Sequence, residues 1–257
     1  MGFAALLLPL WGITLVIPLT TGSPWTLPPA ALVGLILLRS FLHTGLFIVA
    51  HDAMHGSLVP GRPGLNDAVG RLALLLYACL PYGRCRAQHV LHHRHPGERQ
   101  DPDFHDGRRP DPLHWYLHFL SGYLGPQPLA GLIACWSLML VALPTPAPLV
   151  AAADLGVVAV LPLVLSSLQL FFFGTYLPHR QLDGEGERHQ VHSSSLPPWL
   201  SFLTCYHFGY HREHHAAPGV AWYALPRLRR RGPLDSIEDD KGWAHAGDAA
   251  GLERSGA

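Results

Sequence analysis

The sequence predicts an all-α membrane protein of about four transmembrane helices plus interfacial helices, with a histidine-ligated metal cluster on one side of the membrane. Three observations carry this reading. Apolar residues make up 49% of the 257-residue chain and mean hydropathy is positive, a greasier balance than an ordinary soluble domain shows. Residues 28 to 50 hold only Arg39 and His43 as polar ionisable groups, and 23 positions at about 1.5 Å each reach about 34 Å, enough to cross a bilayer. Histidine numbers 18, as many as lysine and arginine together, and all but His43 and His245 fall within residues 51 to 118 and 179 to 215, beside the apolar runs.

Taken in order, residues 3 to 20 form a first crossing, interrupted by Pro9 and Pro18. It is expected to be retained, because Met1-Gly2-Phe3 lacks the positive region of a cleaved signal and Leu6 replaces the Ser or Thr of a myristoylation motif. The loop Thr21-Gly22-Ser23-Pro24 joins it to the second crossing, residues 28 to 50, as a helical hairpin. Pro60-Gly61-Arg62-Pro63-Gly64 then breaks the chain, and Asn66 is placed to cap a helix over about 67 to 80, too short to cross and expected to dip into the interface. Residues 94 to 112 are polar and proline-rich and read as an ordered loop. Leu113 to Leu124, with Trp115, Tyr116, Phe119 and Tyr123, suits a headgroup boundary. Residues 129–143 and 150–177 supply the third and fourth crossings, the last containing Asp154 and Pro162, where a tilt or kink is expected. Residues 1–226 thus form one domain, and 227–257 read as a mobile tail.

Seventeen of the 18 lysines and arginines lie in residues 51 to 112 or 179 to 257, which places both termini and the histidine segments in the cytoplasm by the positive-inside rule. The chemistry is in three boxes: His51 and His55 at the end of the second crossing, then His89, His92 and His93, then His211, His214 and His215. On a helix, positions i, i+3 and i+4 share a face, so each box aims its imidazoles into one space. Eight imidazoles exceed what one ion takes and suit two; imidazole accepts iron, copper or zinc. Asp52, Asp101 and Asp103 are candidates for orienting ring N–H groups. The four cysteines form no C-x-x-C pair, so no iron–sulfur module is encoded and electrons must come from outside. Arg227, Arg229, Arg230 and Arg231 are a basic patch for such a donor, or else an anchor at anionic headgroups. No nucleic-acid partner is expected.

The boxes and their spacing resemble the integral-membrane di-iron family of fatty-acid desaturases, alkane hydroxylases and carotenoid oxygenases. Within it, Phe47-Ile48-Val49-Ala50-His51-Asp52-Ala53-Met54-His55-Gly56, Asp101-Pro102-Asp103-Phe104-His105, Thr175-Tyr176-Leu177-Pro178-His179-Arg180 and Leu203-Thr204-Cys205-Tyr206-His207-Phe208-Gly209 are similar to bacterial and cyanobacterial β-carotene ketolases. The resemblance implies a desaturase-like fold and two non-haem irons. It further implies oxidation of the ring C4 methylene of β-carotene, taken from the bilayer lipid, by O2 and electrons from a donor such as ferredoxin. It also implies a histidine between the second and third boxes. His179 matches it, and the exit of the fourth crossing at nearly the depth of His51 points the same way. His189, His192 and His207 are its competitors. Two rivals stand beside this reading: an oxygenase of acyl chains or alkanes, and a metal transporter or sensor. The latter predicts charged groups inside several crossings, where only Arg39, His43 and Asp154 occur.

Overall fold

The computed structural model describes residues 2–105, 110–143, 147–180 and 191–230. Of the expected tail over 227–257, residues 227–229 end a short helix, while 231–257, with Arg231 and His245, and also His189, lie outside the described residues. Every regular element among the described residues is helical.

Helices α1 (Gly2–Thr20) and α2 (Pro29–Met54) form the expected hairpin, and both are long and apolar enough to cross a membrane. Nothing in the sequence stops α2 before Gly56, whose φ of 71° is left-handed, so the helix carries His51 on its last turn. Residues 29–38 of α2 are mostly exposed while nearly all from 39 to 54 are buried. One end of the helix therefore faces outward and the other is enclosed by protein.

Helix α3 (Pro63–Ala78) runs back along α2. It starts at Pro63, whose ring fixes a helical φ and whose missing N–H costs nothing in a first turn. Asn66 is therefore inside the helix and not its cap. Its Nδ2 donates to Ala53 O at 2.7 Å and its Oδ1 accepts from Val59 N at 3.3 Å, which ties the end of α2 in place. At Gly70 the helices approach so closely that a Cβ would lie 2.7 Å from Ala53 Cβ and 2.5 Å from the Tyr82 ring. The chain reverses at Cys79, φ 54°, into α4 (Tyr82–Arg94), which bears the second box.

Helix α5 (Pro112–Tyr123) is the aromatic stretch, and it meets α6 (Pro126–Ala142) at an angle of 83°. Helix α7 runs from Pro148 to His179 over 32 residues. It contains two π turns, Gly156–Val160 and Phe171–Tyr176. Pro162, which has no N–H and needs room for its ring, follows the first of them. Three helices, or four if α5 and α6 count as one bent span, are thus compatible with membrane crossing.

The polar groups inside the crossings are hydrogen-bonded by backbone and side-chain partners. Arg39 donates from Nε to Val158 O at 2.7 Å, and from Nη1 to Trp11 O at 2.8 Å and Thr14 Oγ1 at 3.2 Å, with its guanidinium 5.5 Å from the Trp11 ring centre. Trp11 Nε1 donates to His43 Nδ1 at 3.0 Å, which leaves His43 Nε2–H to donate to Tyr77 O at 2.7 Å. A tryptophan N–H cannot accept, so these two bonds fix the neutral tautomer of His43. Nearer the boxes, Thr44 Oγ1 donates to Gln169 Oε1 at 2.6 Å and Gln169 Nε2 to Thr204 O, joining α2, α7 and α8 (Pro198–Cys205). Tyr206 and His207, at φ 48° and 65°, then end α8. Short helices α9 (His211–Ala216) and α10 (Leu225–Arg229) complete the described chain.

Candidate metal centre

Four segments from distant parts of the chain converge at one end of the bundle. The last turn of α2 supplies His51, the residue after it supplies His55, α4 supplies His89, His92 and His93, the end of α7 supplies His179, and α9 supplies His211, His214 and His215. They divide into two groups, His51, His55, His89, His93 and His214 in one and His92, His179, His211 and His215 in the other. Within each group the ligand nitrogens lie within 4.8 Å of one another.

The contacts are close. In the first group, Nε2 to Nε2 distances are 2.7 Å for His55–His89, 3.1 Å for His89–His93, 2.9 Å for His93–His214 and 3.1 Å for His51–His214. In the second, His215 Nε2 lies 3.1 Å from both His92 Nε2 and His211 Nε2. Two ligands at right angles around an ion with bonds of about 2.1 Å are about 3.0 Å apart, so the donor set has the spacing that a metal ion requires. Electrostatics agree. Burial and the neighbouring imidazoles hold His89, His93, His214 and His215 well below the ordinary histidine range, and burial first brings His55 and His211 down to about 3. Rings kept neutral at physiological pH are the form that binds metal.

His92 is the exception. Burial opposes its charge, but the hydrogen bond to Asp101 and the charges of Asp103 and Asp101 raise it. Its Nδ1 lies 2.9 Å from Asp101 Oδ1, the arrangement by which a carboxylate fixes a ligand ring with Nε2 facing the metal. Asp101 is held in turn by Gly97 N and Asp103 N at 2.8 and 2.9 Å. Asp103 stands farther off, 4.0 Å from His92 Nδ1, and accepts instead from Tyr123 OH at 2.7 Å. Asp52 Oδ1 is 3.6 Å from His51 Nδ1, and its other oxygen accepts from Trp222 N at 3.4 Å.

Of the competitors of His179, His192 and His207 belong to neither histidine group, and His189 lies outside the described residues. The turn at Tyr206 and His207 removes the shared helix face expected of His207 and the third box. The His207 ring instead stacks on Tyr210 at 5.6 Å and 9°. His192 binds Pro178 O through its backbone N at 2.9 Å. His179 is 1% exposed, with its ring 4.6 Å from His92 and 4.9 Å from His211. Of the C-terminal arginines, Arg229 is engaged internally, donating to Glu213 Oε1 at 3.2 Å and lying 4.7 Å over the Tyr210 ring.

Sequence reasoning passed over three residues. Glu213, between two box histidines, is buried and also accepts from Ser193 Oγ, so it ties residues 191–197 and α10 to the third box. Its position inside His211-Arg212-Glu213-His214 was the available signal. Tyr123 read only as an interfacial aromatic, and Phe208, 4.6 Å from the His51 ring and stacked on His214, had no periodic signature. Both line a narrow pocket of about 30 Å³ that has His51, His89, His92 and His211 along one side and Phe47, Met54, Phe119 and Leu170 among its apolar walls. The arrangement sets two imidazole groups able to hold metal against a narrow pocket with apolar walls.

The family model for fatty acid desaturases matches residues 23–235, which include every histidine of both groups. The chain belongs to the fatty acid desaturase family. Within that family it is 43% identical over 220 residues to a β-carotene ketolase of Paracoccus sp. (strain PC1), covering 81% of this chain and 85% of that protein. It is 40% identical to a β-carotene ketolase of Haematococcus lacustris, over 76% of this chain and 61% of the relative. Against a zeaxanthin 4-ketolase of Chlamydomonas reinhardtii the identity is 40%, over 82% and 46%. Among the described residues, the two histidine groups could each hold a metal ion, and His92, Asp101 and Asp103 form a third set that overlaps the second.

Proposed function

We infer that the protein is a β-carotene ketolase, an O2-dependent membrane oxygenase that converts the C4 methylene of β-ionone rings to a ketone. The observation that carries this is the 43% identity to a β-carotene ketolase over 81% of the chain, within a fold that sets two imidazole groups beside an apolar cavity. Two non-haem irons, held by the five-histidine and the four-histidine group with His179 in the latter, would supply activation of O2. The protein's part is to bind the ring against Phe47, Met54, Phe119, Leu170 and Phe208, to keep bulk water out, and to hold His92 in its ligand orientation through Asp101. Hydroxylation twice at one carbon gives a geminal diol, which loses water to the ketone. Arginines concentrated at the histidine end support a cytoplasmic site with both termini on the same side, and a substrate entering from the bilayer suits the chamber's apolar walls.

Expression in a β-carotene-accumulating bacterium, followed by chromatography of the pigments, is the test. Echinenone and canthaxanthin are expected. Unchanged β-carotene from iron-loaded protein with a working reductant overturns the assignment, and a desaturated or hydroxylated acyl product would place the chain with the acyl-chain oxygenases. Alanine at any of the eight box histidines, or at His179, should remove iron and product together. His189→Ala and His192→Ala should keep most of both.

A further inference from the structure

The reaction proposed above oxidises one carbon twice. Each hydroxylation takes O2, two electrons from an external donor and two protons, inserts one oxygen into a C–H bond and releases the other as water. Between the two steps the ring carries a C4 alcohol. Apolar walls that hold a hydrocarbon ring hold that alcohol less well, because its hydroxyl gives up polar partners at the bilayer surface when it is buried. A site that goes on to the ketone needs a polar partner beside the reacting carbon.

Thr175 can supply one. It is 5% exposed and lines the narrow pocket together with His51, His89, His92 and His211. It lies four residues before His179 on α7, about 6 Å along the axis from that member of the four-histidine group. In the other helices Thr14, Thr20, Thr44 and Thr204 each turn Oγ1 back on the carbonyl four residues earlier, at 2.9, 2.9, 3.1 and 2.9 Å. Thr175 Oγ1 makes no such bond and has no hydrogen-bond partner among the described residues. The π turn Phe171–Tyr176 is the local cause: Leu177 N there reaches back five residues to Phe172 O, and the carbonyl four residues before Thr175 leaves its usual place. The remaining polar groups of the pocket are committed. Tyr123 OH donates to Asp103 Oδ1 at 2.7 Å, and the imidazoles belong to the two histidine groups. Cys85 adds only a weak thiol donor.

We propose that Thr175 holds the oxygen placed on the ring by the first hydroxylation, donating from Oγ1 to the C4 alcohol and keeping it in the site for the second. The proposal deepens the ketolase reading and rests on it. One neutral hydrogen bond favours retention of the alcohol by about 2- to 12-fold, enough to decide whether alcohol or ketone is the main product.

The test uses the iron-loaded full chain in phosphatidylcholine nanodiscs with O2 and a working reductant. β-Carotene and deuterium-labelled 4-hydroxy-β-carotene are supplied together, and the ratio of their kcat/KM values is read from the labelled and unlabelled products. Because both compete for the same enzyme molecules, a loss of folded or iron-loaded protein lowers both rates and leaves the ratio alone. Thr175→Val keeps the shape and removes the hydroxyl, so the preference for the alcohol should fall about 2- to 12-fold and 4-hydroxy-β-carotene should accumulate when β-carotene is given alone. Thr175→Ala should lower the ratio in the same direction, while Thr175→Ser, which keeps the hydroxyl, should stay within about twofold of the parent. An unchanged ratio in the Val and Ala variants, or an equal fall in the Ser variant, overturns the proposal. So does a loss confined to 3-hydroxylated β-carotene supplied in a parallel reaction, which would assign Thr175 to an oxygen on the neighbouring carbon. The two readings fail separately: a parent that forms no ketone from either substrate sinks the ketolase assignment and the proposal with it, whereas ketone formation with the ratio unmoved sinks the role of Thr175 alone.

Discussion

Asp101→Asn tests the electrostatic support of one metal group with almost no change in shape. Three donors converge on this carboxylate, His92 Nδ1 at 2.9 Å and Asp103 N at 2.9 Å on one oxygen and Gly97 N at 2.8 Å on the other. An asparagine offers one oxygen. If it faces His92, its NH2 faces the Gly97 N–H, and if it faces Gly97, the imidazole loses its acceptor. Either way one hydrogen bond to a charged group is lost, worth about 1.5–3 kcal/mol, and removing a ligand's supporting carboxylate elsewhere lowers metal affinity about 10–100-fold, or about 1.4–2.7 kcal/mol. The two routes agree. The loss should fall on the group containing His92 and spare the five-histidine group. Iron content followed through a chelator titration should therefore show half the metal released at about 10–100-fold lower chelator, with the other half unmoved. Asp111→Asn is the control, because Asp111 pairs with His114 at 2.7 Å in the same manner but at the exposed surface. Unchanged iron retention in Asp101→Asn, or equal release of both halves, would refute the assignment of Asp101 to His92 and of His92 to a separate ion.

Two further outcomes are expected. Gly174→Ala places a Cβ 3.1 Å from Phe208 Cδ2, and the displaced ring presses on His51 and His214, so ketone formation should drop several-fold at unchanged iron content. Gly70→Ala meets the Tyr82 ring and Ala53 Cβ at under 3 Å; such overpacking costs about 1–3 kcal/mol, and the melting temperature in detergent should fall by roughly 2–12 °C.

Much of this architecture was legible in the sequence because lipid-facing helices are read from composition alone. The hairpin of α1 and α2 and the separate short helix α3 follow from run length and punctuation, and the boxes follow from i, i+3, i+4 spacing. Asn66 was misread because side-chain capping and side-chain docking use the same residue types, and only the approach of Ala53 decides between them. His207 was misread because the helical face argument assumes an unbroken helix, whereas Tyr206 and His207 adopt positive φ with no glycine to announce it. The division of nine histidines into five and four was not legible either. It depends on His92 and His93, adjacent in sequence, pointing into different groups, and on residues such as His51 and His214 that are 163 positions apart.

The two wide turns of α7 have a consequence for how the chain sets direction. A π turn holds one residue more than an α turn of the same rise, so each rotates everything beyond it by about 100° relative to an uninterrupted helix. Between Leu155 and His179 the chain passes two such turns, a cumulative offset of about 200°. Drawn as a plain helical wheel from Pro148, His179 would fall on nearly the opposite side from the one it occupies beside His92 and His211. The azimuth of this imidazole is thus written in two surplus residues, one of them well over ten positions upstream. Deleting one residue from Gly156–Val160 would leave every side chain near the histidines chemically intact and swing the end of the helix, with His179, about 100° away from them.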